Sequence, residues 1–188
     1  MEVIVSTHIR LFIALAAILS LPAAGIAQSD RGVSFEIRGG FNVPTFDIAD
    51  VADAGPSFGG GINIPLNDNW GIRGGVDAGF HDADADENIT ITVIHYIAGL
   101  EYRYLPPTSR WMLAANVGAG ALTFDIEDGD SFTYPAINIG GRLGYAVSPM
   151  VSLFGSVQGD IAFSDENEIT TDNAWVWPLA FGIEISTR

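Results

Sequence analysis

The chain has 188 residues, with 23 Asp and Glu against 8 Lys and Arg, a formal net charge of −15 and no Cys. That length suits one domain and is short for two. The acidic balance excludes ordinary nucleic-acid binding, since phosphate contacts need the opposite sign, and the absence of Cys excludes a disulfide framework, a thiolate metal site and the acylated Cys of a lipoprotein.

In chain order, Arg10 precedes an apolar run, Leu11 to Leu21, followed by Pro22 and the small-residue step Gly25-Ile26-Ala27. This pattern predicts a cleaved signal peptide over residues 1–27, with the mature chain from 28 to 188 forming one domain. The apolar run is too short for a membrane-spanning helix, which needs about 20 residues.

Beyond residue 28 the apolar side chains recur with period two, the signature of strands with two different faces. The first run puts Val33, Phe35, Ile37 and Phe41 on one face and Ser34, Glu36, Arg38 and Asn42 on the other. The second aligns Phe58, Ile62, Ile64 and Leu66, the third Trp70, Ile72, Val76, Ala78 and Phe80, and the fourth Ile94, Tyr96, Ala98, Leu100 and Tyr102. The fifth aligns Trp111, Leu113, Ala115, Val117 and Ala119, and the sixth Ile137, Ile139, Leu143 and Tyr145. The seventh has Val151, Leu153, Val157, Ile161 and Phe163, and the eighth Trp175, Trp177, Leu179, Phe181, Ile183 and Ile185. Two features disturb the pattern. Pro178 interrupts the eighth run, which predicts a bulge or break. Leu122 and Phe124 occupy the polar parity of the fifth, which predicts a slip near its end.

The connections alternate. Asn67-Asp68-Asn69, Pro106 to Ser109 and Ser148-Pro149 are short, whereas Thr45 to Pro56, His81 to Asn88, Asp125 to Ser131 and Ser164 to Asn173 are longer and polar. Short turns at one end and long loops at the other predict an all-β fold: an eight-stranded antiparallel up-and-down transmembrane β-barrel. The apolar face is too large for the interior of so small a barrel, so it faces lipid and the polar face fills the lumen. Aromatic residues near the strand ends fit interfacial girdles.

The lumen parity collects Glu36, Arg38, Arg73, Asp77, His95, Glu101, Arg103, Arg142, Asp160 and Glu184, with Asn116, Asn138 and Gln158 among them. Four Arg and five carboxylates nearly balance and could pair into one network. Such a network reads first as a plug, and second as a gated ion path or proton relay.

The architecture resembles the small outer-membrane β-barrel superfamily, which includes the transmembrane domain of outer-membrane protein A and adhesin-like barrels. The resemblance spans residues 28–188 and rests on the signal peptide, the eight alternating strands and the two loop classes. It implies a location in the outer membrane, lipid and lipopolysaccharide as surroundings, and insertion by the outer-membrane assembly machinery. In that family the last strand typically ends in an aromatic residue; here it ends in Arg188.

The long loops carry acidic clusters, including Asp82, Asp84 and Asp86; Asp125, Glu127 and Asp128; and Asp165 and Glu166. Carboxylate oxygens suit Ca²⁺ or Mg²⁺. However, the Asp82-x-Asp84-x-Asp86 spacing lacks the Gly and Glu that would complete an EF-hand, and a hydrated, repulsive surface is the leading reading. Lipid-modifying enzymes occur among small barrels, but neither His81, at a loop start, nor His95 has a Ser at a spacing that gives a nucleophile and base on the lipid face. The sequence therefore predicts a non-enzymatic outer-membrane barrel without cofactors, in a structural or surface-interaction role. A secreted lipocalin-like carrier, a narrow channel and a lipid-modifying barrel enzyme are the alternatives.

Overall fold

A computed structural model describes residues 32–83, 86–127, 129–165, 169 and 172–187, giving the backbone alone for 86–88. The segment read as a signal peptide lies outside the described residues. Eight strands follow one another: β1 (Ser34–Thr45), β2 (Gly55–Pro65), β3 (Trp70–Ala83), β4 (Asp86–Tyr104), β5 (Trp111–Ile126), β6 (Ser131–Ala146), β7 (Val151–Phe163) and β8 (Asn173–Ser186). Each pairs antiparallel with its neighbours, and β1 pairs with β8, so the sheet closes into a barrel without free edges. Closure satisfies the backbone groups that an open sheet would leave bare in hydrocarbon.

Parity decides orientation. Phe35, Ile37 and Phe41 project outward and are exposed, while Glu36 and Asn42 on the alternate positions are buried. The same alternation runs around the barrel, and the outward set includes Val117, Ile139, Leu143, Leu153, Val157 and Phe181. A belt of this chemistry belongs in lipid. At its mid-height Val117 stands beside Ile139 on the neighbouring strand, exposed by 60% and 62%. Ile139→Arg should cost about 2–4 kcal/mol of stability in a bilayer. The fall in denaturant midpoint of the refolded protein in lipid vesicles measures it, and an unchanged midpoint would place Ile139 away from the hydrocarbon.

Aromatic pairs mark both rims. Trp70 packs edge-on against Tyr102 at 5.1 Å between centroids, and Trp111 against Tyr145 at 5.0 Å, at the short-turn end. Phe58 stacks on Phe80 at 5.6 Å toward the loops.

The structure corrects two details of the sequence reading and bears out a third. Pairing of β5 with β4 and with β6 runs in unbroken register past Leu122 and Phe124, so no slip occurs. Both side chains point into the lumen and are buried there, at 0% and 3% exposure. His81 is not in a loop: β3 and β4 stay paired beyond it, through Asp82↔Thr90, before a bulge at Asp82/Ala83. At Pro178 the expected break is present, without a shift. Pairing of β7 with β8 lapses between Val157↔Leu179 and Asp160↔Val176 and resumes in the same register, because Pro has no N–H to donate.

Candidate functional site

The lumen is filled in layers, and the strands dictate its composition because every second residue of each must point inward. Nearest the short turns, Met112 and Phe154 are buried on the lumen parity. Above them lies an ionic layer. Glu36 of β1 accepts hydrogen bonds from Arg73 of β3 at 2.6 Å and from Arg142 of β6 at 2.8 Å, and also pairs with Arg38. Arg142 reaches on to Glu184 of β8, which receives Arg103 of β4 in a two-pronged contact at 2.8 and 2.9 Å. Arg103 pairs with Glu101, and Glu101 lies 3.8 Å from Arg73. Six side chains of alternating sign thus form a closed ring across the lumen: Glu36, Arg142, Glu184, Arg103, Glu101 and Arg73. Arg38 and its partner Asp77, which accepts from Arg38 Nε at 2.7 Å, extend the ring to one side. The forked guanidinium suits this pattern, since its separate N–H groups bridge two carboxylates at once.

The third layer is polar and largely neutral. His95 Nδ1 donates to Asp160 at 2.6 Å, and Asn42 lies 2.9 Å from the other ring nitrogen. Asn138 bridges Asp160, Gln158 and Asn116. A cavity of about 20 Å³ separates this layer from the ionic one, bordered by Ser156 and Gln158. Ser156 Oγ and Gln158 Nε2 lack protein partners, and the space admits one water.

The layer nearest the loops is apolar, and the sequence reading missed it. Val93, Leu122, Phe124, Tyr134, Ala136, Ala162, Ala174 and Val176 pack together on the lumen side. Ile48, from a 3-10 turn at Phe46–Asp50, closes over them from the β1–β2 connection. Phe46 enters that turn at φ 61, a left-handed conformation unusual outside Gly, and its ring packs edge-on against Trp175 at 5.5 Å. The turn is tied down further along. Asp53 N–H donates to the Asp82 carbonyl at 3.1 Å, and His81 Nδ1 donates to the Asp53 carbonyl at 2.7 Å.

All ten ionisable residues assigned to the lumen by parity therefore lie inside the barrel, as do Asn116, Asn138 and Gln158. Eight of the ten are joined through the ionic ring and its extension, and His95 with Asp160 form a separate pair. Asn63, which donates to Glu101 at 3.1 Å, and Phe154, whose ring faces the Arg142 guanidinium at 3.9 Å, also support the ring. Glycines make it possible. A Cβ on Gly75 would come within 2.7 Å of Arg38 Nη2, and one on Gly61 within 2.8 Å of Glu36 Oε1. The space left by those missing side chains is occupied by long charged ones.

Of the loop carboxylates, Asp82 and Asp125 lie exposed at strand ends, and Asp165 follows β7. Glu127 accepts from the Thr90 N–H at 3.2 Å. Asp84, Asp128 and Glu166 lie outside the described residues, as does the Asp86 side chain. Among the described residues no three His, Asp or Glu side chains gather closely enough to hold a metal ion.

A family model for the outer membrane protein beta-barrel domain matches residues 12–186. The chain belongs to that family. Its outer-membrane location follows, and the outward apolar belt is the face that meets lipid. Among solved structures, a major outer membrane protein from Thermus thermophilus superposes with TM-score 0.60 at 15% identity, covering 84% of this chain and 100% of that one. Neisserial surface protein A gives 0.56 at 17% identity, covering 83% and 97%. Ail, the attachment invasion locus protein of Yersinia pestis, gives 0.54 at 16%, covering 82% and 99%. At these identities the likeness is one of fold. No curated protein matches the chain by sequence. The match sets the lipocalin-like reading aside, since a soluble carrier would carry the polar face outside.

Proposed function

We propose that this member of the outer membrane beta-barrel family is a non-enzymatic, non-conducting barrel that holds an acidic loop surface outside the membrane. The carrying observation is the alternating ring of Glu36, Arg142, Glu184, Arg103, Glu101 and Arg73, which ties β1, β3, β4, β6 and β8 across the lumen. A conducting pore needs a continuous hydrated path. Here a paired ionic layer and an apolar layer lie in series, each a barrier to an ion. Single-channel recording of the purified barrel in a planar bilayer should register no steady conductance, and a steady conductance would overturn the plug.

The environment of the two described histidines supports a non-catalytic reading. His95 is bound by Asp160 and Asn42 deep in the lumen, and His81 is tied to a backbone carbonyl. The partners of the two rings are thus a carboxylate, an amide and a backbone carbonyl, not the Ser hydroxyl that the nucleophile–base pair of an acyl hydrolase would need. The loops carry the surface role. Asp47, Asp50, Asp53, Asp125 and Glu127 are exposed, and such like-charged rims stay hydrated and repel one another. Lipid and lipopolysaccharide surround the belt, and the outer-membrane assembly machinery inserts the chain. Divalent cations at the acidic loops are the second-ranked partner.

A further inference from the structure

The apolar layer is not completely filled. Beneath the Phe46–Asp50 turn lies a cavity of about 120 Å³. Its walls come from Ile48 and Val51 of the β1–β2 connection, Val93 of β4, Phe124 of β5, Ile169 of the β7–β8 connection and Val176 of β8. Every lining residue is apolar, so water inside would lack the polar partners that hold buried water. An engineered apolar cavity of about 150 Å³ binds benzene, which sets the scale: one aromatic ring or a short branched alkyl group.

The chemistry at the cavity's edge is one-signed. Asp47 and Asp50 flank Ile48, Asp53 follows the lining residue Ala52, and Asp125 and Glu127 flank the lining residue Ile126; all five carboxylates are exposed. The chain contains no Lys. Of the described Arg, four are in the lumen layers below and Arg110 lies at the opposite, short-turn end. No basic side chain among the described residues offsets the field at this mouth.

We propose that the loop-end cavity binds small amphipathic cations, the apolar body seated among Ile48, Val93, Phe124 and Val176 and the positive group held at the carboxylate rim. The cavity supplies affinity through burial of apolar surface. The exposed rim adds little affinity per charge in high dielectric, but it attracts cations and repels anions, so it sets selectivity. The site is independent of whether the ionic layer below conducts.

The test uses the full barrel in nanodiscs of zwitterionic phospholipid, with empty nanodiscs as the blank. The probes are 2-phenylethylammonium and its near-isostere of opposite charge, 3-phenylpropanoate, titrated by ligand-observed NMR. The cation should bind saturably above the blank. The anion should bind about tenfold more weakly at low salt, and the gap should narrow as salt screens the rim. Ring protons of the bound cation should give nuclear Overhauser contacts to the Ile48 and Ile169 methyl groups. Ala52→Leu, which fills the cavity from its wall, should abolish saturable binding while the heat-modifiable gel shift shows the barrel intact. If that variant does not fold, the contacts in the unaltered protein decide. No saturable binding above the blank, equal binding of cation and anion, binding that survives Ala52→Leu, or contacts confined to outward-facing residues would each overturn the proposal.

Discussion

Arg142→Met should destabilise the barrel by about 3–5 kcal/mol, the cost of removing one partner from a buried ionic cluster. The magnitude follows from what Arg142 leaves behind. Its two terminal nitrogens serve Glu36 and Glu184 separately, and one of them lies 3.7 Å from Glu101 as well. Without it, six charges of balanced sign become two Arg facing three carboxylates in a space closed to bulk water. Met keeps most of the aliphatic stem, so the loss reports the guanidinium's charge, its hydrogen bonds and its contact with the Phe154 ring more than stem packing. Arg142→Lys should recover only part of the stability, since a single ammonium cannot reach two carboxylates with the geometry of a planar fork. Adding Glu184→Gln to Arg142→Met should also recover part, because it removes one of the stranded charges. Urea unfolding in lipid vesicles, with the three variants compared in one cycle, gives the answer. A neutral Arg142→Met would mean that the carboxylates are hydrated, which would count against the plug as directly as a conductance would.

The ring could be half-read in the sequence. Period two assigns Glu36, Arg73, Glu101, Arg103, Arg142 and Glu184 to one face, and the narrowness of eight strands requires them to meet. Which carboxylate meets which Arg depends on strand stagger. Glu36 bonds Arg142 across 106 residues of sequence, and no local pattern encodes that spacing. Glycines on the lumen parity carry a readable hint. Gly61 and Gly75 clear space for Glu36 and Arg38, so a small residue on an inward position signals a large neighbour as much as a bend. Less legible was the apolar layer. Leu122 and Phe124 break the polar parity, and a one-residue slip explains that as well as an apolar lumen does. The unbroken register of β5 on both sides decides between them. The signal existed in pieces: Val93 shares a face with His95, and Ala174 and Val176 share one with Glu184. Coincident violations at the loop ends of three strands point to a change of lumen chemistry with depth, whereas a slip would disturb one strand alone. His81 was misplaced for a related reason, since the acidic run after it resembles a loop while the backbone continues pairing.

Leu122→Ala should cost about 2–5 kcal/mol, and Leu143→Ala well under about 1 kcal/mol, although the two remove the same atoms. Leu122 has no exposed surface and sits within the apolar cluster formed by Val93, Phe124 and Tyr134. Truncation there leaves a void that a closed barrel cannot collapse to fill, because the strands are fixed by hydrogen bonds on both sides. Leu143 points outward and is 48% exposed. Acyl chains close over the gap it leaves, so the cavity contribution vanishes and only a small transfer difference remains. Denaturant midpoints of both variants in the same vesicles make the comparison. Equal costs would mean that the loop-end layer is loose enough to repack, and a loose layer could be neither a barrier to ions nor a shaped seat for an apolar ligand. A large difference would establish that the layer the sequence concealed is rigidly packed around Leu122, so that the cavity beside it keeps its shape and the loop end of this barrel is narrowed by apolar side chains as well as by charge.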